Sequence, residues 1–99
     1  MKLRWLSDAL SDLRAIKAYI AEENPQAASR VIASIRNETN VLLKQHNIGR
    51  AGRISETREL VISPYPYIVA YREQSGEVQI LAVVHTSRRW PEQLAKGKR

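Results

Sequence analysis

The chain has 99 residues, is 43% hydrophobic and contains no cysteine, which leaves room for one domain with a modest core and excludes a disulfide framework, a thiol nucleophile and a thiolate metal site. No apolar run approaches the roughly 18 residues of a membrane span, and the opening MKLRWLSDAL lacks the apolar centre of a secretory leader, so a cytoplasmic protein is the expectation. Charge is uneven: residues 1–43 hold six Lys or Arg against five Asp or Glu, and residues 44–99 hold ten against five, so the second half should attract a polyanion, unless it is simply a solvated basic surface.

The short apolar stretch Leu3–Leu6 predicts an opening strand, and Ser7 is placed to cap the helix after it. Leu6, Leu10, Leu13, Ile16 and Ile20 then recur at helical spacing and form one apolar stripe. The segment EENPQAA stops this helix and starts another, with Asn24 as N-cap and Pro25 at the first helical position, where its missing N–H costs nothing. Ala28, Val31, Ile32, Ile35 and Leu42 line the second helix, which should end between His46 and Gly49. So short a link between the two predicts an antiparallel helical hairpin.

The glycine- and arginine-bearing IGRAGRISET reads as a loop. Beyond it the period changes to two. Leu60 and Ile62 alternate with Glu59 and Val61. Tyr67, Val69 and Tyr71 alternate with Ile68, Ala70 and Arg72. Val78, Ile80, Ala82 and Val84 alternate with Gln79, Leu81, Val83 and His85. SPYP and EQSGE are the turns between these strands. Trp90-Pro91 ends the last one, and residues 91–99 read as a basic, frayed tail with room for one helical turn. The result is an α+β fold over residues 1–99 in two layers, an N-terminal strand and helical hairpin packed on an antiparallel sheet.

No metal constellation, Walker loop or dinucleotide fingerprint is present, and no cofactor is expected. The GRAGR stretch is a flexible basic loop or a plain connector. One metal-free reaction fits the residue types: RNA cleavage through the 2′-hydroxyl, which needs a base, a cation for the phosphorane and an acid for the leaving oxygen. Glu56 or Glu59 is the candidate base, Arg58 or Arg72 the cation, and His85 the acid. Bland roles compete with each. Glu59 and Arg72 are also placed for a cross-strand salt bridge, His85 for a backbone bond at a strand end, Tyr65, Tyr67 and Tyr71 for the core, Trp5 and Trp90 for anchoring the chain ends, and His46 for a helix C-terminal charge.

Taken together, DLRAIKAYIAEENPQAA, GRAGRISETRELVI, PYIVAYR and VQILAVVHTSRRWP, in that order, resemble the RelE/ParE superfamily of toxins from bacterial type II toxin–antitoxin pairs. The resemblance implies a small basic toxin neutralised by an acidic antitoxin that wraps its surface. RelE-like members cut messenger RNA on the ribosome, whereas ParE-like members poison DNA gyrase with no known chemistry of their own. The RNA-cleaving branch carries an arginine three residues before the tyrosine matching Tyr71. Ile68 stands there in this chain, and an isoleucine cannot stabilise a phosphorane. That branch also keeps an acid–base residue near its end, and SRRWPEQLAKGKR has no His or Tyr.

The ending HTSRRWP looks ParE-like. This favours a binding surface made of Arg50, Arg53, Arg58, His85, Arg88 and Arg89, with DNA gyrase as target. The alternative is a ribosome-dependent endoribonuclease acting on mRNA through Glu59, Arg72 and His85. A third reading is a non-toxic member that only binds its antitoxin. A homodimer and a toxin–antitoxin hetero-oligomer are both compatible with the sequence.

Overall fold

The computed structural model describes residues 1–87; Arg88, Arg89, Trp90 and the tail expected over 91–99 lie outside the described residues. Strand β1 (Lys2–Trp5) leads into helix α1 (Ser7–Ala21). Ser7 is the first helical residue rather than a cap: Leu6 takes the N-cap position with no side-chain bond, and the first turn is closed by Leu10 N–H to Leu6 O. Helix α2 (Pro25–Asn40) starts as expected, with Asn24 accepting the Ala27 N–H at 3.0 Å and Pro25 in the first turn.

Helix α2 ends earlier than the apolar spacing predicts. The buried Thr39 turns its hydroxyl back onto Ile35 O at 2.6 Å, and a 3₁₀ turn (Val41–Leu43) follows. That turn still delivers Leu42, fully buried, to the core. A two-residue strand β2 (Arg50–Ala51), then β3 (Arg58–Ile62), β4 (Tyr67–Gln74) and β5 (Glu77–His85) complete the elements of the described residues.

The five strands form one mixed sheet in the order β1-β5-β4-β3-β2. The three expected hairpin strands are antiparallel neighbours. The first strand adds itself parallel to β5, pairing Leu3 with Val78 and Trp5 with Ile80. Both helices cover one face. Ala9, Leu13, Val31, Ile35 and Leu42 from the helical side meet Leu60, Ile62, Tyr67, Val69, Tyr71, Val78, Ile80 and Val83 from the sheet. Trp5 packs on the rim of this core as an anchor, with the Arg36 guanidinium 5.4 Å from its ring centre.

The period-two reading of β5 fails at one point. Ala70 pairs with Ala82 but Tyr71 with Ile80, so Leu81 is an extra residue, a β-bulge. Val78 and Ile80 therefore face the helices with Val83, whereas Ala82 and Val84 turn to the other face. There they join Ile68 and Ala70 in a second buried apolar cluster. The face of the sheet turned away from α1 and α2 is thus not uniformly polar.

Candidate functional site

Two concave regions lie at opposite ends of β4. The first, a cleft of about 470 Å³, opens between α1 and the end of β5 and is lined by Asp12, Ile16, Tyr19, Tyr67, His85 and Ser87 among others. The Leu81 bulge brings His85 to this helical side, where its ring stands edge-on to Tyr67 with centroids 5.5 Å apart. His85 Nδ1 accepts the Ser87 N–H at 3.1 Å and lies 2.8 Å from Ser87 Oγ. With Nδ1 accepting a backbone proton, the ring's own proton sits on Nε2.

Asp12 reaches across from α1 and accepts the Val83 N–H at 2.9 Å. That amide points away from β4, on the side of β5 that β1 pairs with only as far as Ile80. Burial raises the Asp12 carboxyl above its ordinary range, outweighing the lowering effect of the Val83 bond. Burial likewise raises the Tyr67 hydroxyl. Tyr19, 75% exposed, forms the outer lip of the cleft.

The second region is a polar pocket of about 370 Å³ between the loop after α2 and the far end of β4, lined by His46, Glu56, Thr57, Arg58, Arg72 and Glu73 among others. At its base the buried Tyr71 hydroxyl accepts the Gly49 N–H and donates to His46 O, both at 2.9 Å. Arg58 Nη1 donates to Asn47 O at 3.2 Å and to Gly49 O at 2.9 Å. Burial raises the Tyr71 hydroxyl, although the Gly49 N–H and the Arg58 charge pull the other way. His46 Nδ1 lies 3.0 Å from Glu73 Oε1. The distance suits an ion pair but the direction is off that of a well-formed hydrogen bond, and the buried Nδ1 has no other partner among the described residues.

The residues nominated from sequence are divided between these regions. Glu59 and Arg72 face away from the helices, and each makes a hydrogen bond with a different side chain. Arg50 donates to the buried Glu59 carboxylate from Nε at 3.3 Å and from Nη2 at 3.2 Å, while Arg72 Nε donates to Gln79 Oε1 at 2.8 Å. His85 is opposite Tyr67 in the ladder and Arg72 opposite Gln79. Five residues of β4 separate those positions, roughly 17 Å at the usual rise. Glu59, Arg72 and His85 are therefore not assembled.

Glu56, Arg58 and Arg72 do meet, in the second pocket, where the histidine is His46 rather than His85. The loop does not fold His85 against Arg50, Arg53 and Arg58, because the strand end carrying His85 is the one beside Tyr67. Arg53 is exposed at the loop tip. Sequence reading missed the Tyr71–Gly49–Arg58 arrangement. Its available signal was a glycine just before a basic loop together with an interior tyrosine needing a partner for its hydroxyl.

Among the described residues no helix is long and apolar enough to cross a membrane, and no group of His, Cys, Asp and Glu forms a metal-binding cluster. Comparison with known proteins gives consistent results. A solved ParDE toxin–antitoxin system from P. aeruginosa, encoded on the chromosome, is similar with a TM-score of 0.78 and 26% identity over 86% of this chain and 95% of that one. A conserved hypothetical protein from Helicobacter pylori shares the fold, with a TM-score of 0.55 and 18% identity over 89% of this chain and 97% of that one.

Among curated relatives, the Y4kP protein of Sinorhizobium fredii is 44% identical over 93 residues, covering 94% of this chain and 96% of the relative. Toxin RelE2 of Caulobacter vibrioides is 34% identical over 84 residues, covering 85% and 93%. The family model for the ParE toxin of the type II toxin–antitoxin system parDE matches residues 3–90, nearly the whole chain, and the protein belongs to that ParE toxin family.

Proposed function

We propose that this ParE-family toxin acts without chemistry of its own, by binding DNA gyrase through its basic loop and the basic segment after β5, and that a cognate acidic antitoxin neutralises it. The observation that carries this reading is how the nominated catalytic groups are engaged. Glu59 holds Arg50, Arg72 holds Gln79, and His85 Nδ1 takes a backbone N–H. Acid–base catalysis needs its groups within hydrogen-bond reach of one reacting centre, and these three lie on two faces and at two ends of the sheet. Ile68, where the RNA-cleaving branch has its arginine, is packed with Ala70, Ala82 and Val84.

Binding needs only presentation. Arg53 is exposed on its loop, Arg88 and Arg89 follow β5 in sequence, and planar guanidinium groups suit carboxylate- or phosphate-bearing partners. The likeness to a ParDE system supports the antitoxin partner.

The test is a supercoiling assay with purified toxin, gyrase, relaxed plasmid and ATP. Blocked supercoiling, or linear DNA released on denaturation, is the expected result, and Arg88→Ala with Arg89→Ala should abolish it while keeping the thermal transition. Gyrase untouched at high toxin excess, with RNA cut on translating ribosomes, would replace this reading with the enzymatic one.

A further inference from the structure

We infer that Tyr71, Arg58 and the His46–Glu73 pair form a clamp on residues 46–49 that orders the arm carrying Arg50 and Arg53. On this inference Arg58 and Tyr71 are positioning residues rather than target contacts. It rests on the reading that this arm meets the target.

The segment from His46 to Gly49 has no regular secondary structure. Its backbone groups are instead satisfied by side chains from the sheet: His46 O and Gly49 N by the Tyr71 hydroxyl, Asn47 O and Gly49 O by Arg58 Nη1. Arg58 lies on β3 and Tyr71 opposite it on β4, so the two side chains grip the segment from a rigid platform. A guanidinium that spends one of its nitrogens on two carbonyls is fixed in place, a poor arrangement for following a mobile partner.

Gly49 fits this role sterically. A Cβ there would sit 2.6 Å from the Tyr71 hydroxyl oxygen, so only glycine lets the backbone approach the phenol so closely. On the outer side, Glu73 reaches His46 Nδ1 at 3.0 Å, with Glu56, Arg58, Arg72 and Tyr71 lining the same pocket.

Downstream, the clamped segment runs directly into β2, whose two residues pair with Glu59 and Arg58. So short a strand does not hold itself. The arm beyond is closed by Gly52 N–H to Thr57 O at 2.8 Å and by the Thr57 hydroxyl to Ile54 O at 2.6 Å. Its tip is therefore tethered at two points, the clamp and Thr57, with Arg53 between them. Ordering a charged loop before binding lowers the entropy lost on association.

The test compares Tyr71→Phe with the unaltered chain by amide exchange and by gyrase inhibition. Phenylalanine keeps the ring and removes both hydroxyl bonds. Exchange at residues 49–53 should rise roughly tenfold more than exchange at the core amides of Val69 and Val83, with inhibition weakened. Glu73→Ala, altering a half-exposed side chain, should give a smaller rise confined to the same residues and serves if Tyr71→Phe does not fold. Equal acceleration of arm and core in both variants would overturn the clamp. A loosened arm with full inhibition, where Arg53→Ala abolishes inhibition, would overturn the positioning role. Full inhibition by Arg53→Ala would overturn it through the reading beneath it, and is told apart because the exchange pattern is then unchanged from expectation.

Discussion

Asp12 offers a quantitative test of how α1 is fixed to the sheet. Its carboxylate accepts the Val83 N–H at 2.9 Å, on the side of β5 that β1 pairs with only as far as Ile80. A hydrogen bond to a charged group contributes about 1.5–3 kcal/mol, and part of that is offset by the cost of desolvating the carboxylate. Asp12→Ala should therefore lose about 1–2 kcal/mol, or roughly 5–15 °C in Tm for a domain of this length. Asp12→Asn keeps an acceptor oxygen and should stay within about 0.5 kcal/mol of the parent at neutral pH.

The pH dependence has a definite sign. Burial raises this carboxyl in the folded chain, so the native state binds the proton more tightly than the unfolded state does. Proton linkage therefore adds a stabilisation that is fully present below the unfolded carboxyl range and is lost as pH rises through the raised folded value, leaving the Val83 bond, which the carboxyl accepts in either protonation state. The stability of the parent relative to Asp12→Asn should thus be greater in the acid range than at neutrality, measured by urea unfolding at both. A parent-minus-Asn difference that is flat, or that grows toward neutrality, would refute the assignment. So would an Asp12→Ala variant as stable as the parent.

Three further substitutions probe separate links. Asn24→Ala removes the N-cap of α2 and should cost about 1 kcal/mol in the urea midpoint; no change would mean that helical start is held by packing alone. Gly49→Ala forces a Cβ against the Tyr71 hydroxyl and should destabilise by about 1–3 kcal/mol in thermal melts, with stability equal to the parent counting against the close approach. Ile68→Arg puts a charge into the Ala70, Ala82, Val84 cluster and should cost about 3 kcal/mol or more without conferring cleavage of a short RNA. A stable variant that cuts RNA would show that a single missing cation had silenced an assembled site.

The helical hairpin and the three antiparallel strands were legible because each is dictated locally. Apolar residues at helical spacing, an Asn-Pro start and period-two runs between turn residues need no tertiary information. The parallel pairing of β1 was not legible, since a four-residue strand carries no mark of its partner. The early end of α2 was hidden because Leu42 keeps the helical spacing while the backbone has already tightened into a 3₁₀ turn.

The partners of the charged groups were least legible of all. Cross-strand placement sets Glu59 near Arg72, and nothing in the sequence marks its bond from Arg50, which sits on β2, a strand whose two residues, Arg and Ala, look like loop. Residue type offers Arg58 as a catalytic or target-binding cation, and its backbone partners could not be foreseen because the carbonyls it holds belong to a segment with no periodic pattern of its own.

The bulge at Leu81 shows why strand parity alone could not place the site. With strict alternation, His85 would share a face with Gln79 and Arg72, and a histidine, an arginine and Glu59 would lie on one surface as a cleavage site requires. One inserted residue reverses the phase of everything after it. His85 then moves to the helical side beside Tyr67, and Val84 takes its place on the other face with Ile68. The same reversal turns Val83 inward, with its amide directed at Asp12 on α1. A single unpaired residue thus moves His85 off the face that holds Glu59 and Arg72, completes the second apolar cluster and ties α1 to β5. Deleting Leu81 would have to undo all three together: the Asp12 bond, the Tyr67–His85 contact and the packing of Val84 would be lost in one step, and the chain should fail to fold rather than acquire an active site.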